Sequence, residues 1–234
     1  MSEDDKSPIS ARQAKSLFAD WKRAPALVLA VSGGPDSIAL MWLAARWRAA
    51  FSRGPRLLAV TVDHGLRAES VREARQVKRL ADTLGVPHRT MRWTGEKPKS
   101  GVPAAARAAR YRLLATAARQ NGASHVFTAH TRDDQAETLL MRLLRGSGIN
   151  GLAAMARESE REGVLIARPF LNISKAQLIA TLEKARIGYA DDPTNRDANL
   201  ARLRASPPST ASSSITARMR GRVKLVSRLV GSSA

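Results

Sequence analysis

The sequence predicts an α/β fold in which a parallel five-stranded sheet is covered by helices on both faces. Three observations lead to this prediction. Short apolar runs alternate along the chain with longer segments of helical periodicity. The first apolar run ends in a Gly-Gly turn that leads directly into a helix. Polar motifs follow the second and fourth runs, and strands that alternate with helices form right-handed crossovers in a parallel sheet.

Each element is predicted from its local pattern, beginning with a short helix over residues 10–22. The helix that follows the second strand ends at Gly85, which is placed as its C-cap. The last helix is capped by Ser174 and stops at Gly188. In the helix that starts near Asp133, four leucines are expected to face inward: Leu139, Leu140, Leu143 and Leu144. The predicted strands cover residues 27–31, 57–62, 88–93, 125–129 and 164–167.

Composition indicates one main domain with a polyanionic partner. The chain has 234 residues and a net charge of +19, which favours nucleic acid as a partner and an anionic membrane face as the second candidate. No apolar run is long enough to span a bilayer, and the polar, acidic start differs from a secretory signal, so a cytoplasmic location is expected. The chain contains no cysteine, which excludes disulfides, thiolate metal sites and persulfide chemistry.

The chain divides into three predicted parts. Residues 1–22 form an N-terminal helix, and residues 23–204 form the main domain. Residues 205–234 form a basic tail rich in Ser and Pro, and no acidic residue occurs after Asp197. The tail is predicted to be disordered or loosely packed.

The Gly-Gly turn is the first candidate site and comprises Ser32, Gly33, Gly34, Pro35, Asp36 and Ser37. Adjacent glycines let backbone N–H groups turn inward, and a helix N-terminus adds its positive dipole end, so phosphate is the expected ligand. An acid beside a phosphate is repelled unless a divalent cation lies between them, which suggests a magnesium nucleotide. The alternative is a plain strand-to-helix turn with Ser37 as a cap.

A second cluster follows the fourth strand and contains His130, Asp133, Asp134 and Glu137. Acids in the first turn of a helix also complement its dipole, which is the alternative interpretation. Carboxyl ends of neighbouring parallel strands meet at one edge, so these acids are expected near Asp36, where a cation would hold them together.

The remaining candidates are arginines and a glycine-rich loop. Arg107 and Arg110 lie three residues apart and share one helix face, which on a basic protein is often merely solvated. Residues 145–151 form either a flexible connector or a lid that contacts substrate. Arg168 follows the fifth strand and is otherwise an ordinary strand-end arginine.

Together these motifs resemble tRNA(Ile)-lysidine synthetase, a family of pyrophosphate-loop ATP pyrophosphatases with an adenine nucleotide alpha hydrolase-like fold. The resemblance covers residues 27–204 in collinear order. Its most specific motifs are Asp63-His64-Gly65-Leu66-Arg67, Asp133-Asp134-Gln135-Ala136-Glu137-Thr138 and Asp192-Pro193-Thr194-Asn195. The family pattern departs at Ala154, Leu200 and Leu203, and the likeness ends after Arg204. We therefore hypothesise that residues 205–234 result from a shifted frame or an erroneous gene end.

The resemblance implies ATP-dependent ligation of lysine to the wobble cytidine of an isoleucine tRNA with a CAU anticodon. Its implied partners are this tRNA and free lysine, with no membrane, and its implied cofactors are ATP and Mg²⁺. A homodimer is one oligomeric state that the sequence leaves open. Asp36, Arg110, Asp133 and Asp134 are the implied catalytic residues, with Asp36 and Asp134 binding the metal. The implied ATP-binding residues are Ser32, Gly33, Gly34, Pro35, Asp36, Ser37, His64, Arg67 and His130. The implied substrate residues are Glu137, Arg145, Arg168 and Arg202.

Three other functions remain open at this stage. One is a different pyrophosphate-loop enzyme for tRNA thiolation or amidation, although thiolation generally relies on cysteines. Another is a non-catalytic, truncated ATP- or RNA-binding module. A third is a basic protein that binds RNA nonspecifically, with strongly salt-dependent affinity and no dependence on ATP.

Overall fold

The computed structural model describes residues 6–65, 69–144 and 154–190, all within one compact unit of residues 1–192. Helices and strands alternate as the apolar pattern predicts. The strands are β1 Ala26–Ala30, β2 Arg56–Asp63, β3 His88–Arg92, β4 His125–Phe127, β5 Glu158–Arg161 and β6 Val164–Ala167. The helices are α1 Ala11–Leu17, a 3₁₀ turn Ala19–Trp21, α2 Pro35–Ala49, α3 Glu69–Thr83, α4 Val102–Gln120, α5 Arg132–Leu144 and α6 Lys175–Ala185.

The strands form one sheet in the order β3-β2-β1-β4-β6-β5. Pairing is parallel throughout except between β5 and β6, which are antiparallel. The strand order reverses between β1 and β4, because β2 and β3 lie on one side of β1 and the later strands lie on the other. In open sheets of this kind the crevice beyond the carboxyl ends of such a strand pair is where ligands bind.

The predicted count of five strands is wrong by one, because β5 was not recognised. Its residues are mostly exposed and charged, so it lacks the apolar signal of a buried strand. Glu162 and Gly163 join it to β6 with positive φ angles of 54° and 70°. Two central residues with positive φ are typical of the tight turn of a two-residue hairpin. This edge strand is held by backbone pairing and not by hydrophobic burial.

Apolar side chains fill both faces of the sheet. On one face Phe18, Trp47 and Phe170 pack with apolar residues of α1, α2, α3 and α6. On the other face α4 contributes Tyr111 and Leu114, which contact the opposite sides of β1, β2, β4 and β6. The fully buried run of β1 is explained by this double coverage, as expected for a central parallel strand.

The expected inward face of α5 is wrong. Leu139, Leu140, Leu143 and Leu144 have exposed fractions of 38% to 49%, and no described residue of α5 is buried. Periodicity shows that these leucines share one side of a helix, but it does not establish that the side is covered. The helix therefore starts at the edge of the sheet without packing on either of its faces.

Two of the predicted helix ends are confirmed by their hydrogen bonds. Gly85 has a φ of 65°, and the Val86 N–H donates to the Ala81 carbonyl at 2.9 Å, as in a Schellman motif. Ser174 caps α6 through a reciprocal pair with Gln177. The predicted stop of this helix at Gly188 is late, because Arg186 already adopts the left-handed conformation. The predicted helix over 10–22 is divided into α1 and the 3₁₀ turn.

Two sequence-level expectations concern membranes and the tail. No helix within residues 6–65, 69–144 and 154–190 is long and apolar enough to cross a membrane. The tail, residues 205–234, lies outside the described residues.

The Phe18 side chain gives a direct test of how the N-terminal segment stabilises the fold. Its fully buried ring lies 5.4 Å from Trp47, 6.0 Å from Phe127 and 6.1 Å from Phe170, measured between ring centroids. Phe18→Ala should lower the free energy of unfolding by about 3–5 kcal/mol, because it leaves a cavity among these rings. Chemical denaturation measures the change. Leu165→Ala, at a side chain that is 38% exposed, is the control and should cost about 1 kcal/mol or less. Equal losses in the two variants would contradict this packing.

Candidate functional site

The crevice beyond β1 and β4 begins with the glycine turn. Gly34, not Ser37, is the N-cap of α2, and Pro35 occupies the first turn. Ser37 Oγ donates to the Gly34 carbonyl at 2.9 Å and accepts the Ser32 N–H at 3.1 Å, which closes the turn on itself. Gly33 has a φ of 97°, a conformation that residues with a Cβ rarely adopt. The turn therefore presents backbone at the positive end of a helix, as an anion site requires.

Asp36 faces this crevice from the first turn of α2. Its Oδ1 atom is buried without a hydrogen-bond partner, and its Oδ2 atom lies 3.9 Å from Lys175 Nζ. Burial raises the pKa of Asp36 to about 6, with Lys175 lowering it and the charges of Asp134 and Asp133 raising it further. The structure therefore brings together the acids that the sequence assigned to separate motifs.

Asp133 and Asp134 start α5 in two different ways. Asp134 Oδ2 accepts both the N–H of Thr131, at 2.7 Å, and its hydroxyl, at 2.8 Å. Asp133 Oδ2 accepts the backbone N–H of Lys175 at 2.8 Å, which ties the start of α5 to the start of α6. These bonds hold the Asp134 side chain in place through one of its two oxygens, and no bond to the other is present among the described residues.

A cavity of about 280 Å³ adjoins the glycine turn above β1 and β2. Ser32, His64 and Arg110 line it, together with Ser70 and Glu73 of α3. His64 Nδ1 is buried without a partner, and its ring lies edge-on to Trp93 at 6.1 Å. The pKa of His64 is lowered mainly by burial and further by the charge of Arg110, while Asp63 opposes the shift. A neutral imidazole with an open nitrogen therefore faces this cavity beside a guanidinium.

His130 lies at the end of β4 among cations. Its Nδ1 lies 2.9 Å from Thr128 Oγ1. Burial lowers the pKa of His130 to about 4; Asp134 opposes the shift, and Arg110, Arg168 and Arg107 add to it. The imidazole is therefore neutral at physiological pH, which makes it a hydrogen-bonding group and not a charge.

The candidate residues divide into those that converge and those that are not described. Lys175 joins the acids, because it contacts both Asp36 and Asp133. Arg110 and His64 line the neighbouring cavity. His130 lies near both groups, since the charges of Asp134 and Arg110 both act on it. Glu137 lies one turn along α5 from Asp133 and Asp134 and is partly buried. Arg67, Arg145 and Arg202 lie outside the described residues.

Three residues of this site were missed by sequence reasoning: Lys175, Ser70 and Glu73. Lys175 directly follows the recognised cap Ser174, so its position at a helix start was available from the sequence. Its approach to Asp36 was not, because it depends on how α2, α5 and α6 meet. Ser70 and Glu73 share a face of a predicted helix, and their facing the cavity likewise depends on tertiary packing.

The described residues contain no group of three or more His, Cys, Asp or Glu side chains arranged to hold a metal. Phosphate-bound magnesium differs from such sites, since it commonly uses one or two protein carboxylates and completes its octahedron with phosphate oxygens and water. The orphaned Asp36 Oδ1 and the Asp134 carboxylate fit that smaller set.

The chain is similar to known proteins in sequence and in fold. A family model described as the PP-loop domain matches residues 6–205. A tRNA(Ile)-lysidine synthase of Bradyrhizobium diazoefficiens is 68% identical over 100% of this chain and 65% of its own length. One from Rhodopseudomonas palustris is 69% identical over 87% of this chain and 59% of its own length. The chain thus spans about three-fifths of the length of these relatives.

Among solved structures, a U34-tRNA thiolase from Methanococcus maripaludis superposes with a TM-score of 0.66 at 15% identity, covering 95% of this chain and 80% of the thiolase. At that identity the likeness concerns the fold alone. The family match and the identities confirm the resemblance drawn from the sequence motifs. The chain belongs to the PP-loop domain family.

Proposed function

We propose that the chain is the ATP-dependent catalytic part of a tRNA(Ile)-lysidine synthase, which joins lysine to the wobble cytidine of isoleucine tRNA. One observation carries the proposal: Asp36, beside the glycine turn, lies close to the acids that start α5, because Lys175 contacts both Asp36 and Asp133. The names of the similar proteins from Bradyrhizobium and Rhodopseudomonas support the choice of substrate.

The proposed reaction has two steps. The ring carbonyl oxygen of cytidine attacks the α phosphorus of ATP, so that a carbon–oxygen–phosphorus link forms as the bond to pyrophosphate breaks. The ε-amine of lysine then attacks the activated ring carbon, forming a carbon–nitrogen bond as AMP leaves and the nitrogen loses a proton. Negative charge spreads over phosphate oxygens in the first step, so positioned cations and N–H donors should dominate catalysis.

The roles of the residues follow from where they lie. The glycine turn and the N-terminus of α2 suit the leaving pyrophosphate. Arg110 lines the cavity beside the glycine turn, where a guanidinium can neutralise the α phosphate. Neutral His64 and His130 can orient the nucleotide by hydrogen bonds. Glu137 and the free oxygens of the acid pair offer an anionic environment for the lysine amine. Arg67, Arg145, Arg168 and Arg202 remain proposed contacts to ATP or substrate.

Mg²⁺ belongs to this proposal. Asp36 and Asp134 would hold it, and bound Mg²⁺ would withdraw charge from the phosphate oxygens. The fit is supported by the unpartnered Oδ1 of Asp36. Without a bound metal cation, the Asp36 carboxylate would be repelled both by the neighbouring acids and by a polyphosphate. Each repulsion makes ionisation of Asp36 less favourable.

The same proposal includes the expectations that concern the whole protein. They are residues 23–204 as the catalytic domain, a cytoplasmic location, and homodimerisation. Thiolation of tRNA is the less favoured alternative, because the chain has no cysteine to carry sulfur.

The function is tested by incubating an unmodified isoleucine tRNA transcript with the protein, ATP, Mg²⁺ and lysine. Mass spectrometry should find a lysine adduct at the wobble cytidine. Asp36→Asn should reduce its formation by at least about a hundredfold, the scale on which lost electrostatic stabilisation acts. Asp82→Asn removes an exposed acid that pairs with Lys78 and should retain wild-type activity. RNA that stays unmodified in every reaction, while the protein binds ATP, would support a non-catalytic module.

The raised pKa of Asp36 predicts a pH-dependent stability without nucleotide. The folded state holds this proton more tightly than the unfolded chain, so the stabilisation is complete below about pH 4 and is lost as pH rises through about 6. Asp36→Asn cannot ionise there and should become more stable than the wild type above pH 7, by as much as about 3 kcal/mol. Denaturant unfolding at pH 5 and pH 8 measures the difference.

Saturating Mg²⁺-ATP gives the matching control for this experiment. The complex should stabilise the wild type more than Asp36→Asn at pH 8, because the ionised carboxylate then has its cation. A stability difference that is the same at both pH values would contradict the buried, ionisable environment of Asp36.

A further inference from the structure

Four arginines lie near Tyr111 on the side of the sheet that α4 covers, and we call Arg107, Arg110, Arg161 and Arg168 the arginine cluster. Tyr111 is buried. The Arg161 guanidinium carbon lies 4.1 Å from the ring centroid, and that of Arg107 lies 5.4 Å from it. Guanidinium groups that stack on a ring keep their N–H edges available for other partners.

Arg161 joins the cluster because of the edge strand that the sequence did not reveal. The Glu162-Gly163 turn folds β5 back along β6, so that Arg161 pairs with Val164. Arg119 of α4 donates to the Glu162 carbonyl at 2.8 Å, which fixes the turn against that helix. The hairpin therefore places an exposed cation on the ring of Tyr111.

Arg168 forms the floor of the cluster and is only 9% exposed. Its Nη1 donates to the Ala156 carbonyl at 2.8 Å and its Nη2 to Ser159 Oγ at 3.0 Å, whereas its Nε is buried without a partner. Burial lowers the pKa of Arg168, Tyr111 raises it, and Arg107 and Arg161 lower it. The exposed Arg107 and Arg161 thus lie close enough for their charges to act on the buried Arg168.

The charge of this cluster is not balanced within the described ranges. There, none of its four guanidinium groups forms an ion pair with a carboxylate, although Lys78, Arg92 and Arg157 do. Several cations held together without an anion repel each other, and burial of one of them increases the cost. An arrangement of this kind is favourable once an anion is bound.

The nucleotide alone does not account for the whole cluster. Arg110 lines the cavity beside the glycine turn, whereas Arg107 and Arg161 are exposed and do not line it. The cluster therefore extends from the proposed nucleotide site to the protein surface. A ligand that carries phosphates both at the reacting base and beyond it matches this extension, and a chain of net charge +19 suits a polyanion.

We propose that Arg107 and Arg161, supported by Tyr111 and Arg168, bind the phosphodiester backbone of the RNA substrate next to the reacting base. The proposal rests on the proposed function, since it assumes that the base enters the crevice. Backbone contacts of this kind set the register and orientation of the RNA without reading its sequence.

The test measures RNA binding separately from catalysis. Fluorescence anisotropy with an unmodified anticodon stem-loop RNA, over a range of salt concentrations, compares the wild type with Arg107→Gln, Arg161→Gln and the double variant. The double variant should bind at least about tenfold more weakly at low salt. The slope of log affinity against log salt should become shallower by about 0.7 to 0.9 for each phosphate that the variant no longer neutralises.

Arg112→Gln is the matched control, because it removes the same charge from an exposed position on α4 outside the cluster. It should change neither the slope nor the affinity by more than about twofold. Mg²⁺-ATP affinity measured without RNA should be within twofold of wild type in all variants. Arg161→Lys should restore most of the salt slope, because it restores the charge. Thermal unfolding should give similar midpoints for all variants, which excludes loss of the fold.

Several results would overturn the proposal. RNA binding by the double variant that equals binding by Arg112→Gln would refute the assigned role of both arginines. A loss of Mg²⁺-ATP affinity as large as the loss of RNA affinity would assign the cluster to the nucleotide. A raised KM for lysine with unchanged RNA affinity would assign it to the amino acid carboxylate. If the wild type forms the lysine adduct and the variants bind RNA normally, the proposed RNA-binding role of the cluster is refuted and the proposed ligase function is retained. Arginine-dependent RNA binding without any adduct would instead refute the function alone.

Discussion

The structure depends on a repulsion that the fold creates and does not itself relieve. The reversal of strand order between β1 and β4 brings the Asp36 carboxylate of α2 close to the acids that start α5, beside a turn built for phosphate. Lys175 offsets part of this charge at 3.9 Å, yet Asp36 Oδ1 stays buried without a partner. A site of this composition is favourable with a cation and a polyphosphate bound together, which is why we treat both as one ligand.

How far the sequence predicts this arrangement depends on how local each signal is. The glycine turn, the strands with apolar runs and the Ser174 cap are encoded within a few residues, and each was predicted. Strand β5 was not, because an edge strand is held by backbone pairing and its charged side chains resemble a loop. The outward face of α5 was also beyond sequence reasoning, since helical spacing identifies a shared face and says nothing about what covers it.

The candidate site shows the same division. Asp36, Asp133 and Asp134 were identified because each lies at the predicted carboxyl end of a strand, and parallel strands share that edge. The contact between Lys175 and Asp36 was not predicted, and neither was the grouping of the four arginines. In both cases the residues come from distant segments of the chain. Arg107 belongs to α4 and Arg161 to the hairpin, and they meet only because both contact the ring of Tyr111. A buried aromatic residue thus converts two ordinary surface arginines into a defined cationic surface.

The central claim is that the crevice positions the α phosphate of ATP for attack by a nucleobase of the RNA. The most direct measurement follows ATP labelled at the α phosphate, incubated with the protein, Mg²⁺ and the tRNA transcript without lysine. We expect the label to move to the RNA as an adenylate, and to leave it as AMP once lysine is added. Label recovered as ADP, or ATP cleaved equally well without RNA, would contradict the account.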